Sequence, residues 1–154
     1  MKIRMALCAV LLTFSPVQAS DDTPEAVVHA LFDAMRAGDG AAARALVNSG
    51  AALERLQADG SIKAGSFEKW TAWIDAQSPG DADEQIFNLE TFSSVAGLAT
   101  VAAPFVIHYK GELVGCGVNQ FSLALTSEGW RIIHGIDVPH IGDCTTYRDE
   151  VEGQ

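Results

Sequence analysis

The sequence predicts an α+β fold in which helices come first and an antiparallel sheet follows. Two observations carry this. Between Thr23 and Ile74, apolar side chains recur at the three- and four-residue spacing of one helix face. From about Glu84 onward the period shortens to two, and turn residues at Ala96-Gly97, Lys110-Gly111-Glu112 and Ser127-Glu128-Gly129 divide the chain into strand-length runs.

The helices are legible from their ends. Thr23 stands as an N-cap with Pro24 at the first helical position and Glu25 near the positive end of the dipole. Val28, Leu31, Phe32 and Met35 then form one stripe, and Gly38 offers a left-handed stop. Asp39 caps a second helix through Ala41-Ala42-Ala43-Arg44-Ala45-Leu46-Val47, expected to end near Asn48-Ser49-Gly50. A third starts at Ser66, presents Phe67, Trp70, Trp73 and Ile74 on one side, and breaks at Ser78-Pro79-Gly80-Asp81. Both tryptophans are expected in the core.

Four strands are expected after Glu84. In the second, Ala99, Val101, Ala103, Phe105, Ile107 and Tyr109 share a face, with Thr100 and His108 on the other. In the third, Asn119, Phe121, Leu123 and Leu125 oppose Cys116, Val118, Gln120 and Ser122. In the fourth, Trp130, Ile132, His134 and Ile136 form one face. The short connections require antiparallel neighbours, and the apolar face needs the helices as cover.

Residues 1–19 read as a cleavable secretory signal: Lys2 and Arg4, an apolar run from Met5 to Phe14, then Ser15-Pro16-Val17-Gln18-Ala19, with small residues at Val17 and Ala19 to place the cut before Ser20. The apolar run is too short to serve as a stable membrane anchor. The organisation expected is therefore a signal at 1–19, one domain over 20–149 and a short tail at 150–154, in a periplasmic or secreted protein. The whole chain carries a net charge of −10, and the signal holds basic residues but no acidic ones, so the mature chain is more acidic still. Such a surface repels phosphate backbones and argues against nucleic acid as a partner. Removing the signal removes Cys8 and leaves Cys116 and Cys144, an even pair in an oxidising compartment, expected to be bonded. Closing that loop stabilises the fold by roughly 3 to 4 kcal/mol in the chain-entropy model.

The run from Tyr109 through Cys116-Gly117-Val118-Asn119-Gln120-Phe121 to Leu123, followed by Gly129-Trp130-Arg131-Ile132 and Cys144, resembles the exported branch of the nuclear transport factor 2-like superfamily, which includes ketosteroid isomerase-like and polyketide cyclase-like proteins. The resemblance covers residues 23 to 144 and implies a strongly curved antiparallel sheet forming a cone-shaped pocket under three N-terminal helices. In that branch a His commonly precedes the Cys-Gly pair and an Asp stands two residues after the Gly. Here those places are Gly115 and Asn119. Asn119 hydrogen-bonds in both directions but is no general base, so the resemblance implies a pocket more strongly than catalysis.

The concave face is expected to gather Tyr109, Asn119 and His134 among Phe105, Phe121, Leu123, Trp130, Trp70 and Trp73, an apolar cavity with few polar groups. His134 is the leading acid–base candidate, against the plainer reading of a core histidine bonded to a backbone carbonyl. Tyr109 is a donor for a ligand oxygen, or simply a strand-end tyrosine with a wet hydroxyl. His134-x-x-Asp137-x-x-His140 has metal-like spacing, but strand alternation separates His134 from Asp137 and Pro139 precedes His140, so no metal is expected. Glu25, His29 and Asp33 recur every four residues as a solvated helix face. There is no Gly-x-Ser-x-Gly elbow, phosphate-cradling loop, Cys-x-x-Cys or His-Glu-x-x-His, and no cofactor is expected.

Three functions follow. The first is binding of a small, largely apolar ligand, with Asn119, Trp70, Trp73, Phe105, Phe121 and Trp130 around it. The second is a cofactor-free isomerase, dehydratase or hydrolase using His134 with Tyr109 or Asp137. The third is a homodimeric structural subunit paired through the outer face that carries Thr100, Val106, His108, Val118 and Gln120.

Overall fold

A computed structural model describes residues 22–153. The signal read at 1–19 lies outside the described residues. Helices α1 (Pro24–Ala37), α2 (Gly40–Ala45) and α3 (Phe67–Ile74) pack on one face of a curved mixed sheet. Each carries the cap its sequence provides. Thr23 Oγ1 accepts the Ala26 N–H at 3.2 Å, Asp39 Oδ1 that of Ala42 at 2.8 Å and Ser66 Oγ that of Lys69 at 3.3 Å. Gly38 takes φ 69° and donates to the Met35 carbonyl, closing α1.

The strands are β1 (Val47–Leu56), β2 (Ile62–Lys63), β3 (Ala82–Ile86), β4 (Glu90–Ser93), β5 (Leu98–Tyr109), β6 (Glu112–Thr126) and β7 (Gly129–Pro139). Their order is β2-β1-β7-β6-β5-β3, with β4 also on β5. The run expected as one strand from Glu84 is two, β3 and β4, broken near Asn88 at φ 47°, and both run antiparallel to β5. β1 and β2 were not expected. The second helix ends at Ala45, two residues before its alanine-rich run does, and Val47–Leu56 lies parallel to β7. Local propensity favoured continuing the helix, but the strand gains a long backbone ladder.

Two bulges bend the sheet. Ile107 pairs with Gly115 and His108 with Leu113, leaving Val114 extra in β6; Ser122 pairs with His134 and Leu123 with Ile132, leaving Ile133 extra in β7. Beneath the helices, Val28, Leu31, Phe32 and Met35 meet Val101, Ala103, Phe121, Leu123 and Ile132 in one core. Trp73, expected there, is 40% exposed. The stripe of α3 runs Phe67, Trp70, Thr71, Ile74, and Trp73 lies one position off it.

A smaller core lies on the outer face. Helix α4 (Tyr147–Glu152), which extends into the segment expected as a tail at 150–154, joins Phe87, Val106 and Cys116 through Tyr147. The Cys116–Cys144 disulfide ties the approach to this helix to β6, with Cα atoms 5.5 Å apart. Tyr147 Oη donates to the Gly117 carbonyl at 3.0 Å. Val106 is thereby covered by the chain itself rather than left open on the outer face. No helix among the described residues is long and apolar enough to cross a membrane.

Gly117 lets the end of β7 lie close against β6 beside this attachment, because a Cβ there would stand 2.3 Å from the Val138 carbonyl oxygen, whereas one at Gly115 would meet only the Ile107 Cγ2 at 3.4 Å. Gly117→Ala is therefore expected to destabilise the protein by about 2 kcal/mol or more, and Gly115→Ala by less than about 1 kcal/mol. Urea unfolding of the two variants measures the difference.

Candidate functional site

Inside the cone lies a cavity of about 120 Å³, walled by Phe32 of α1, Phe67 and Trp70 of α3, Phe105 of β5 and Phe121 of β6. Its polar side is built by strand register. Arg55 of β1 is paired with Asp137 of β7, and Asp137 with Asn119 of β6, so three side chains on neighbouring strands project into the cavity in one row. Glu84 enters from β3, on the far side of β5.

These four groups are joined in two pairs. Arg55 forks onto Asp137, with Nε 2.8 Å from Oδ2 and 3.0 Å from Oδ1, and Nη2 2.7 Å from Oδ2. Asn119 Nδ2 donates to Glu84 Oε1 at 2.6 Å. Asp137, Asn119 and Glu84 are buried, while Arg55 sits at the rim. The bond to Asp137 raises the guanidinium's hold on its proton. Burial pushes the Glu84 carboxyl up to about 7; the Asn119 hydrogen bond opposes this, the Asp137 charge adds to it and the Arg55 charge subtracts from it.

Of the residues the sequence nominated, Asn119, Asp137, Trp70, Phe105 and Phe121 reach the cavity. His134 does not. The extra residue at Ile133 reverses the alternation of β7, so Gly135 and Asp137 face inward and His134 and Ile136 outward. His134 Nε2 lies on the outer face, 3.1 Å from Glu54 Oε2. Tyr109 donates its hydroxyl to Gln77 Oε1 at 3.1 Å and packs its ring on Trp73, away from the cavity. Trp130 packs against the main core. His134, Asp137 and His140 do not converge: one faces out, one in, and the third stacks on Tyr147 with ring centres 4.8 Å apart. No cluster of three or more His, Cys, Asp or Glu suited to a metal ion occurs among the described residues.

Glu84 and Arg55 were not nominated. Glu84 shares its alternation with Ala82 and Ile86 and so belongs to an inward face, a signal that the sequence does carry. Arg55 was hidden because β1 was not recognised as a strand.

No family model and no curated protein matches this chain. Solved structures do. A protein of unknown function from Shewanella baltica, described as NTF2-like, superposes with a TM-score of 0.56 at 16% identity, over 84% of this chain and 100% of that one. An NTF2-like protein with a cystatin-like fold from Novosphingobium aromaticivorans gives 0.60 at 16% identity, over 80% and 82%. The fold is that of the nuclear transport factor 2-like proteins. A candidate dehydratase of this NTF2-like group from Streptomyces avermitilis superposes with a TM-score of 0.61 at 14% identity, covering 83% of this chain and 100% of that one. At such identities the likeness concerns the frame, and the site has to be read from its own residues.

Glu84 ties the cavity to stability. Its carboxyl is harder to ionise folded than unfolded, so it makes no difference below about pH 4.5, where both states are protonated. As pH rises from there to 7 the unfolded chain ionises first and stability falls, by about 3 kcal/mol in all. Glu84→Gln removes that loss. Relative to the parent, the variant is expected to gain about 3 kcal/mol between pH 4 and pH 8. Urea midpoints across that range test this, and a difference that stays constant with pH would contradict it.

Proposed function

We propose that the protein is exported and binds a small, largely apolar molecule inside the cone. The observation that carries this reading is the cavity itself, in which five aromatic side chains surround a few convergent polar groups. Its size limits the ligand. At about 120 Å³ it is smaller than an apolar cavity of about 150 Å³ that takes up benzene, and well below the range of drug-sized sites. A short branched chain, or a ring no larger than benzene, is the right scale. Export is supported by the signal-like residues 1–19 and by the Cys116–Cys144 bond, which needs an oxidising compartment to persist.

A cofactor-free isomerase, dehydratase or hydrolase is the second reading, and Glu84 is what favours it. A carboxyl that exchanges its proton near neutral pH in an apolar site is suited to general acid–base work, with Asp137 nearby. Tyr109 and His134 lie outside that site.

Ligand binding is tested by melting-temperature screens with small aromatic and branched aliphatic compounds, followed by the Trp70 indole resonance. A ligand at one hundred times its dissociation constant should add about 2.7 kcal/mol and move the Trp70 signal. If no compound of this size does either, the reading fails.

A further inference from the structure

Hydrogen-bond capacity in the cavity is lopsided. Arg55 commits its Nε and Nη2 to Asp137, and the Asn119 amide donates to Glu84. The N–H groups that Arg55 has to spare lie at its exposed rim position, whereas at the buried Glu84–Asn119 end two oxygens are left to accept. Glu84 is 8% exposed and Asn119 6%, yet Glu84 Oε2 and Asn119 Oδ1 have no side-chain or backbone partner among the described residues, and neither is sealed from the cavity. Such oxygens, in a site this apolar, call for a donor.

We infer that the occupant is a primary amine with an apolar body, held as its ammonium ion by Glu84 Oε2 and Asn119 Oδ1 with its hydrocarbon part against the aromatic wall. This rests on the cavity being a ligand site and names the class of ligand. Three arguments support it. An ammonium supplies several N–H donors where the cavity offers unpartnered acceptors, whereas a carbonyl compound would add another acceptor. The Arg55 charge, the one cation at the site, is matched by Asp137 in a forked pair at the rim, so an ionised Glu84 carries the uncompensated charge. Phe32, Phe67, Trp70, Phe105 and Phe121 give the body an apolar wall whose ring faces attract cations, and the acidic surface raises the local concentration of cations outside.

Binding of an ammonium requires Glu84 in its ionised form. The charged groups facing it are Asp137 from β7 and Arg55 from β1; α1, α3 and β5 present only uncharged side chains to the cavity. With Glu84 near 7, the binding-competent fraction falls roughly 30-fold from pH 8 to pH 5.5, while the amine stays protonated at both.

Calorimetric titration with isobutylamine against isobutanol, and n-butylamine against n-butanol, tests the inference, because each pair matches in size and differs in charge. At pH 8 the amine of at least one pair should bind ten or more times tighter than its alcohol, and should lose roughly 30-fold by pH 5.5. Glu84→Gln should erase the preference for the amine. The comparison within the parent protein decides the matter even if that variant folds poorly. If the alcohols bind as tightly as the amines or tighter at pH 8, the amine inference is overturned and the apolar-ligand reading stands. If no member of either pair binds, both are overturned.

Discussion

The geometry of the cavity depends on one irregularity, the extra residue at Ile133 in β7. Before it, Ile132 faces the helices; after it, Gly135 and Asp137 do. Without the bulge His134 and Ile136 would point inward and Asp137 would face solvent, as simple alternation requires. The same point is irregular on the other side of β7. Val47 pairs with Ile132 and Ala52 with His134, so residues 48–51 of β1 loop out beside the bulge. Both neighbours of Ile133 thus accommodate the change in parity at one level of the sheet. Gly135 then completes it. A Cβ there would come within 3.0 Å of Phe67 and Leu53 and 3.2 Å of Phe121, so the absent side chain lets the aromatic wall close against the strand.

The two pairs that result are unequal. Asp137 is buried beside a fixed guanidinium fork that compensates the cost of removing its charge from water. Glu84 is as deeply buried but has only a neutral amide. An amide cannot offset the desolvation of a full charge, and the carboxyl responds by keeping its proton to higher pH. Asn119 is what separates these environments. It stands between the ion pair and Glu84, in the register position opposite Asp137. A third carboxyl here would crowd Glu84 and Asp137 with like charge, whereas the amide can bridge.

What the sequence revealed and what it concealed divide along physical lines. The N-caps at Thr23, Asp39 and Ser66 are local chemistry between neighbours, and each appears where expected. Between Gly115 and Leu123 of β6, and along β5 as far as Ile107, the inward face follows simple alternation, which puts Phe105, Asn119 and Phe121 on it as expected, although Leu125, expected beside them, is exposed. β1 was missed because Val47–Leu56, with Asn48-Ser49-Gly50 inside it, has no clear alternation of its own, and only pairing with a strand some eighty residues away makes it a strand. Asp137 was nominated together with His134 although strand periodicity set them on opposite faces. The bulge decides which of the two enters, and no local signal in Arg131-Ile132-Ile133-His134 marks it. Arg55 lies on β1, whose pairing is long-range, and Glu84 is carried inward only by the register of β3 on β5.

The disulfide answers a problem that the open sheet creates. Curving the sheet over the helices leaves its outer face uncovered, and Phe87, Val106 and Cys116 would meet water there. Six helical residues are too few to hold themselves in place, since a helix this short has little stability of its own. Cys144 removes much of that cost by tethering the approach to α4 at β6, after which Tyr147 needs only to fill the gap and bond to Gly117. Arg148 lies over Phe87, 4.5 Å from its ring centre, and closes the edge. Cys116 and Asn119 lie on opposite faces of the same strand, so the covalent tether and the ligand cavity share β6 as their common wall. The segment that carries the cysteine on one side thereby holds the cavity's central amide on the other.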